Sequence, residues 1–386
     1  MKYRKFGNID FMVSALGFGA MRLPTDGDIS QSDRLSSNIF EEEAIRMIHY
    51  AIDQGVNYID TAYNYHQGTS EVVTGKALKG GYRDKVKIAT KSPIFSIKEA
   101  GDFNKYLDEQ LKRLQTDYID FYLLHALSRD RWENVVKKLN ILDYAETAKQ
   151  AGKIKHLGFS FHDNLDTFIE IVDGYDGWEF CQIQYNYMDI ETQAGTKGLK
   201  YAADKGLPVI IMEPLLGGRL ANPPMEVLEI IKKSRAKHSP AELAFQWLWN
   251  QKEVSVVLSG MSNMEQVKED IIFADRSGIG SLKPEDLKTI ELIRKEYDKR
   301  SIIPCTKCGY CMPCPNNVDI PKNFTLYNDA IIHDDLKSAS EKYNNFFDKN
   351  KRADACIQCR ECEEKCPQKI PISEWMTKIH NELVNS

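Results

Sequence analysis

Eight of the nine cysteines in this 386-residue chain lie beyond residue 300, in two runs whose spacing suits metal–thiolate chemistry. The second run, CIQCRECEEKCP, sets Cys356, Cys359, Cys362 and Cys366 at C-x2-C-x2-C-x3-C-P. Closely repeated thiolates on one curled loop can converge on a small inorganic cube, and this is the spacing that ligates [4Fe–4S] clusters. The first run, CTKCGYCMPCP, contributes Cys305, Cys308, Cys311 and Cys314, with two residues rather than three before its last cysteine. The fourth cysteine of such a run usually serves the other cluster. The expected ligand sets are therefore crossed: Cys305, Cys308, Cys311 and Cys366 for one cube, and Cys356, Cys359, Cys362 and Cys314 for the other. Two structural zinc ions are the alternative, but zinc knuckles pair two C-x2-C elements across a long spacer, and a tight triple repeat favours a cube. Cys181 stands alone and reads as a small buried hydrophobe.

A second group of polar residues closes short apolar runs. IDTAYNY holds Asp60 and Tyr65, ATKS holds Lys91, and FYLLHA holds His125. A phenol, an ammonium, a carboxylate and an imidazole in one pocket could deliver a proton to a carbonyl oxygen as a hydride reaches its carbon. A tyrosine hydroxyl with a pKa of about 10 is a weak acid near neutrality and needs help. The Lys91 ammonium is expected to lower that pKa, Asp60 to keep the lysine charged and oriented, and a neutral His125 to donate a hydrogen bond to the substrate oxygen. The remaining histidines, His49, His66, His156, His162, His238, His333 and His380, show no partner in the sequence and read as surface or helix residues, with His66 and His162 as candidate loop contributors.

These residues need elements to position them. Eight short apolar runs, SALGFGA, NYIDTAY, VKIATKS, YIDFYLLHA, IKHLGFS, FCQIQYN, PVIIMEP and VSVVLSG, read as strands. Between them lie stretches with apolar residues three and four apart, such as FEEEAIRMIHYAIDQG, FNKYLDEQLKRLQ, NVVKKLNILDYAETAKQAG and PAELAFQWLWNQ, which read as helices. Gly55, Gly152 and Gly206 follow such stretches and are expected to end helices in a left-handed conformation. Repeated strand–helix units of this number predict a (β/α)8 TIM barrel, whose active-site groups gather at the carboxyl ends of the strands. An open doubly wound sheet is the alternative. GNIDFMVSALGFG is expected to supply a short hairpin ahead of the first barrel strand. The predicted division is a barrel over residues 1–298 and a small, mainly α-helical ferredoxin-like domain over 299–386, because the stretch between the cysteine runs carries a helical pattern.

Composition narrows the function classes. Hydrophobic residues make up 42% and charged residues 28%, enough for a packed core and against disorder as the main state. The net charge of −5 without a basic block argues against a nucleic-acid partner. No apolar run reaches the roughly 18 residues of a membrane span, and MKYRKFGNIDF lacks the apolar stretch of a signal peptide, so a cytoplasmic protein with no membrane partner is expected.

The ordered set Asp60, Tyr65, Lys91 and His125, in IDTAYNY, ATKS and FYLLHA, resembles the aldo-keto reductases, and the resemblance runs from YRKFG to about residue 275. It implies Tyr65 as general acid/base, Asp60 and Lys91 tuning it, His125 orienting a small-molecule carbonyl or alcohol, and NAD(P)H as hydride donor. It further implies that Ser160 and Gln182 hydrogen-bond the nicotinamide carboxamide, that Met212 takes the place of a ring-stacking tyrosine, and that the Gly217–Gly218 loop covers the pyrophosphate. Where NADP-preferring members carry Lys and Arg for the 2′-phosphate, this chain has Gly260 and Gln266, with Glu269 and Asp270 following, and Phe161 stands where Asn is common. The resemblance therefore carries no preference for NADP over NAD. The tail resembles alpha-helical ferredoxins and the subgroup of aldo-keto reductases that bear two [4Fe–4S] clusters. That implies electron exchange with ferredoxin or another carrier; purely structural clusters, or a barrel serving as a docking scaffold for a redox module, are the alternatives. No flavin fingerprint is visible. Specificity is expected from the loops TDGDISQSDRLSSNIF and LANPPM.

Overall fold

The eight apolar runs form a closed parallel barrel. The computed structural model describes residues 1–26, 38–234, 238–305 and 308–385; most of the loop TDGDISQSDRLSSNIF lies outside them. A hairpin comes first, pairing Tyr3–Lys5 (β1) with Met12–Ser14 (β2) antiparallel. The barrel strands are Leu16–Gly19 (β3), Tyr58–Asp60 (β4), Lys87–Ser92 (β5), Ile119–Leu127 (β6), Ile154–Phe161 (β7), Phe180–Gln184 (β8), Val209–Met212 (β9) and Val254–Ser259 (β10). Each pairs with the next, and β10 returns to β3 through Val257↔Leu16 to close the ring. Strands covered on both faces read as continuous Val/Ile runs, and every residue of β10 is buried.

Successive residues point to opposite sides of a strand, and two packing groups follow. Tyr58, Ala89, Phe121, Phe180, Ile210 and Val256 pack with Phe6 and Val13 of the hairpin region. Their neighbours Ile59, Ile88, Tyr122, Cys181, Ile211 and Val257 pack with helix residues such as Met47, Ile48, Phe103 and Leu107. Phe6 meets the Phe121 ring edge-on at 5.0 Å and closes the amino end of the barrel. The hairpin thus begins earlier than GNIDFMVSALGFG: its first strand is the polar YRK, and residues from that stretch make the turn and second strand.

The helices Glu41–Asp53, Asp102–Leu114 and Pro240–Trp249 lie where the periodicity places them. Gly55, Gly152 and Gly206 have φ of 95°, 75° and 82°, the left-handed ends expected after helices. NVVKKLNILDYAETAKQAG departs from one continuous helix. A π-helical turn spans Trp132–Lys137, Asn140 turns left-handed at φ 51°, and an α-helix then runs Ile141–Gln150. Asparagine tolerates that conformation better than most residues.

Residues 1–26, 38–221 and 238–287 belong to one compact unit, and residues 222–234, 288–305 and 308–385 to a second. The helix Pro284–Arg300 runs across that division. In the second unit, helices Ile320–Ile332, Leu336–Asn345 and Ile372–Asn385 enclose an apolar core with Phe324, Tyr343 and Met376 at its centre. Asp319 and Asp335 cap the first two helices by accepting from the backbone N–H of Lys322 and Ser338. Among the described residues, no helix is long and apolar enough to cross a membrane.

Candidate functional site

The inward side of each barrel strand continues in steps of two: from Tyr58 to Asp60, Ala89 to Lys91, Phe121 and Leu123 to His125, Phe180 to Gln182, and Ile210 to Met212. At the carboxyl mouth polar groups take the inward positions that apolar ones hold deeper in these five strands, Met212 excepted. Asp60 pairs with Ala89 across β4 and β5, which brings Lys91 beside it. The Lys91 Nζ donates to Asp60 Oδ1 at 2.6 Å, to the Thr61 carbonyl at 2.9 Å and to the Tyr65 hydroxyl at 3.3 Å. Lys91 is 1% exposed and Asp60 3%, so neither charge is solvated by bulk water and each depends on the other. The His125 ring meets Tyr65 edge-on at 6.1 Å, with Phe95 against its other side at 5.6 Å. All four sequence-predicted groups meet at one point.

Their protonation follows from burial and from each other. Burial pulls the Lys91 pKa down, but Asp60 and Tyr65 more than reverse this and hold it above the ordinary value. Burial raises the Asp60 carboxyl, with Lys91 pulling against it. Burial and the nearby Lys91 charge drive His125 well below its usual pKa, so the imidazole is neutral. Tyr65 departs from the expectation. Lys91 does pull its pKa down, but burial pushes harder, and the phenol is raised above 10. The hydroxyl is thus kept protonated, and the lysine limits that rise rather than producing a phenolate.

Sequence reasoning missed what holds Tyr65 in place. His66, Gln67 and Gly68 all have positive φ, 49°, 56° and 92°, immediately after the tyrosine. Non-glycine residues in that region store strain that surrounding structure must restrain. Arg113, from helix Asp102–Leu114, supplies the restraint: its Nη1 donates to the Tyr63 carbonyl at 2.9 Å and to Glu71 Oε2 at 3.2 Å, and its Nη2 to Glu109 at 2.6 Å. The buried Glu71 also accepts from Thr90 and Gln110, and Gln110 donates to the Lys91 carbonyl. One helix therefore ties the tyrosine loop to the lysine strand. Only the Glu109–Arg113 spacing of four was visible in the sequence. Arg113→Ala leaves Glu71 buried without its cation and is expected to lower stability by about 3 kcal/mol. Urea unfolding should show the loss, and adding Glu71→Gln should recover part of it; an unchanged midpoint would contradict the clamp.

The residues matched to nucleotide contacts divide. Ser160 and Gln182 are partners across β7 and β8. The Ser160 hydroxyl oxygen accepts from the Ala126 N–H at 2.7 Å, pinning the irregular backbone directly after His125. Gln182 Oε1 is buried without a hydrogen-bond partner among the described residues, an orphaned acceptor that suits an amide N–H at the barrel mouth. Met212 ends β9, and Gly217 and Gly218 turn left-handed at φ 70° and 96° in the loop beyond. Gly260 follows β10 directly. Gln266 spends its carbonyl on the Ser262 N–H at 2.8 Å, while its own N–H donates to Asn263, a capping arrangement at the start of helix Met264–Asp275. Asp270 is buried and accepts from the Ser259 hydroxyl at 2.6 Å, and burial pushes its carboxyl up to about 7.

In the second unit the cysteines gather around two hollows. Cys305, Cys308, Cys311 and Cys366 line the first, with Phe324 and Ile370 among the apolar walls. Cys314, Cys356, Cys359 and Cys362 line the second, with Ile320 and Met376. Ile372 lines both. Four thiols around an apolar hollow suit a cube of iron and sulfide, whereas a zinc ion draws its sulfurs to about 2.3 Å from one point. None of the cysteines is in a disulfide among the described residues, and Cys308 and Cys359 are exposed.

Residues 15–293 match the family model described as the aldo/keto reductase family, and residues 304–370 match that of a 4Fe-4S dicluster domain. The chain is 28% identical to L-galactose dehydrogenase of Arabidopsis thaliana, over 76% of this chain and 94% of that one. It is 27% identical to an NADH-specific methylglyoxal reductase of Escherichia coli, over 70% and 93%. Among solved structures, the holo form of an aldo-keto reductase from Bacillus halodurans superposes with a TM-score of 0.62 at 27% identity, covering 76% of this chain and 96% of that one.

Proposed function

The chain belongs to the aldo/keto reductase family and carries a C-terminal 4Fe-4S dicluster domain, and from this we propose a nicotinamide-dependent carbonyl reductase whose two [4Fe–4S] clusters exchange electrons with a carrier such as ferredoxin. The observation that carries the reading is the single Lys91 ammonium reaching both Asp60 and the Tyr65 hydroxyl.

A carbonyl oxygen seated between Tyr65 and His125 accepts hydrogen bonds from both. Tyr65 gives its proton to that oxygen as the carbonyl carbon is reduced, and Lys91 stabilises the negative charge left on the phenol. Asp60 keeps Lys91 charged and aimed, and His125, neutral, donates without competing for the proton. Bound at the mouth, the nicotinamide supplies the hydride. Ser160 and the orphaned Gln182 Oε1 would hold its carboxamide, Met212 would cover one face of the ring, and the Gly217–Gly218 loop would pass over the phosphates. In the reverse direction the same groups take the proton from an alcohol.

The crossed cysteine sets would hold the two cubes, which supply one-electron transfer. Exposure of Cys308 and Cys359, beside Tyr310 and Ile357, each 64% exposed, supports exchange with a partner at both clusters. A structural role has its own support, because Cys305, Cys311, Cys314, Cys356, Cys362 and Cys366 all pack with the core of this unit.

Anaerobic reduction of a panel of aldehydes and ketones by NADH and NADPH tests the reading; no nucleotide-dependent turnover would overturn it. The pH dependence is more specific. Tyr65 and Lys91 titrate above 10 and 10.5, and His125 below 6.5. The kcat/KM for carbonyl reduction should therefore stay flat from about pH 7 to about pH 9.5. A fall with a midpoint near 8 would contradict these assignments.

A further inference from the structure

We propose that Arg22 grips a phosphate of the dinucleotide, supplying from the loop after β3 a positive charge that Gly260 and Gln266, after β10, do not offer. The inference rests on the reading of the barrel as a nicotinamide-nucleotide site and adds a residue to it. Arg22 ends a 3-10 turn, Ala20–Arg22, directly beyond β3, the strand that closes the barrel against β10. A side chain at Gly260, the first residue after β10, would run into it: a Cβ there would lie 3.0 Å from Arg22 Cδ and 3.2 Å from its Cβ and Cγ. The arginine stem occupies the space that a residue at 260 would use. Glycine at 260 is what lets the guanidinium approach.

The head of the same side chain has an unmet requirement. Arg22 Nη2 is buried and has no hydrogen-bond partner among the described residues. A buried guanidinium donor left unsatisfied is costly, more so than a neutral one, and native structures leave few such groups without a partner or a ligand. The planar fork of arginine matches phosphate oxygens better than any neutral acceptor. A nicotinamide dinucleotide lying across the barrel mouth offers two sources of that chemistry, its pyrophosphate and, in NADP, its 2′-phosphate. Neither Gly260 nor Gln266, whose carbonyl is committed to Ser262, offers a positive charge there.

Equilibrium titration of NADH and NADPH into the anaerobic, cluster-loaded protein, followed by fluorescence, tests this without reliance on turnover. Arg22→Met keeps an apolar stem over Gly260 and should raise a dissociation constant by about tenfold or more. A rise for NADPH alone assigns the 2′-phosphate, and a rise for both assigns the pyrophosphate. Arg22→Lys should recover part of the affinity. Gly260→Ala, which crowds the arginine stem, should weaken the same nucleotide and serves as the second variant should Arg22→Met fail to fold. Unchanged dissociation constants for both nucleotides in a variant that melts at the wild-type temperature would overturn the proposal. Failure of the wild-type protein to bind either nucleotide would instead remove the reading beneath it, and the proposal with it.

Discussion

Tyr65→Phe is expected to lower anaerobic carbonyl reduction by about 10²- to 10⁴-fold, the usual contribution of a positioned proton donor. The substitution removes one oxygen from a ring that already stands edge-on to His125 and within reach of Lys91. Lys91 keeps its contacts to Asp60 and to the Thr61 carbonyl, so the buried ammonium remains paired and the fold should survive. Nucleotide affinity and iron content should be unchanged, because neither depends on the phenol. The loss should therefore appear in kcat, with little change in the dissociation constant of the nucleotide. Wild-type turnover in this variant would remove the acid/base assignment.

The second large effect concerns the crossed cysteines. On the proposed content of two cubes per chain, serine at a ligand of one should remove roughly half of the iron and leave one cluster signal. The linings predict which signal. Cys366→Ser should match Cys308→Ser, since both thiols border the first hollow, and Cys314→Ser should match Cys359→Ser at the second. Electron paramagnetic resonance of the reduced proteins, with iron and sulfide quantitation, distinguishes the two survivors. Uncrossed ligation would make Cys366→Ser resemble Cys359→Ser. Cys366→Ser and Cys314→Ser should also loosen the helical unit, because both thiols pack with the core that holds Phe324 and Met376, whereas Cys308 and Cys359 are exposed.

What could be read from the chain alone has a physical basis. A barrel strand covered on both faces must be apolar, so the residue that breaks the run at its carboxyl end stands out; Asp60, Lys91 and His125 are such breaks. The cysteine runs are local in sequence and were legible as ligand spacing. The misses are contacts between distant segments. Arg22 and Gly260 meet through barrel closure, and Arg113 reaches Tyr63 from the helix that follows the next strand. No local pattern encodes either. The Asp270–Ser259 contact was not legible either, because helical periodicity does not say which way that side chain turns. The Tyr65 pKa was misjudged because a neighbouring ammonium is apparent from residue types, whereas the depth of burial that outweighs it belongs to the folded chain.

The central claim is that reduction occurs by direct hydride transfer at the barrel mouth, with the proton drawn from Tyr65. The most direct measurement is isotope transfer from a nicotinamide nucleotide dideuterated at C4, under anaerobic conditions, with the product alcohol analysed by mass spectrometry. The account predicts one deuterium on the former carbonyl carbon for each nucleotide oxidised. Product carrying only solvent hydrogen at that carbon would contradict it and would indicate that the electrons reach the substrate through the clusters instead.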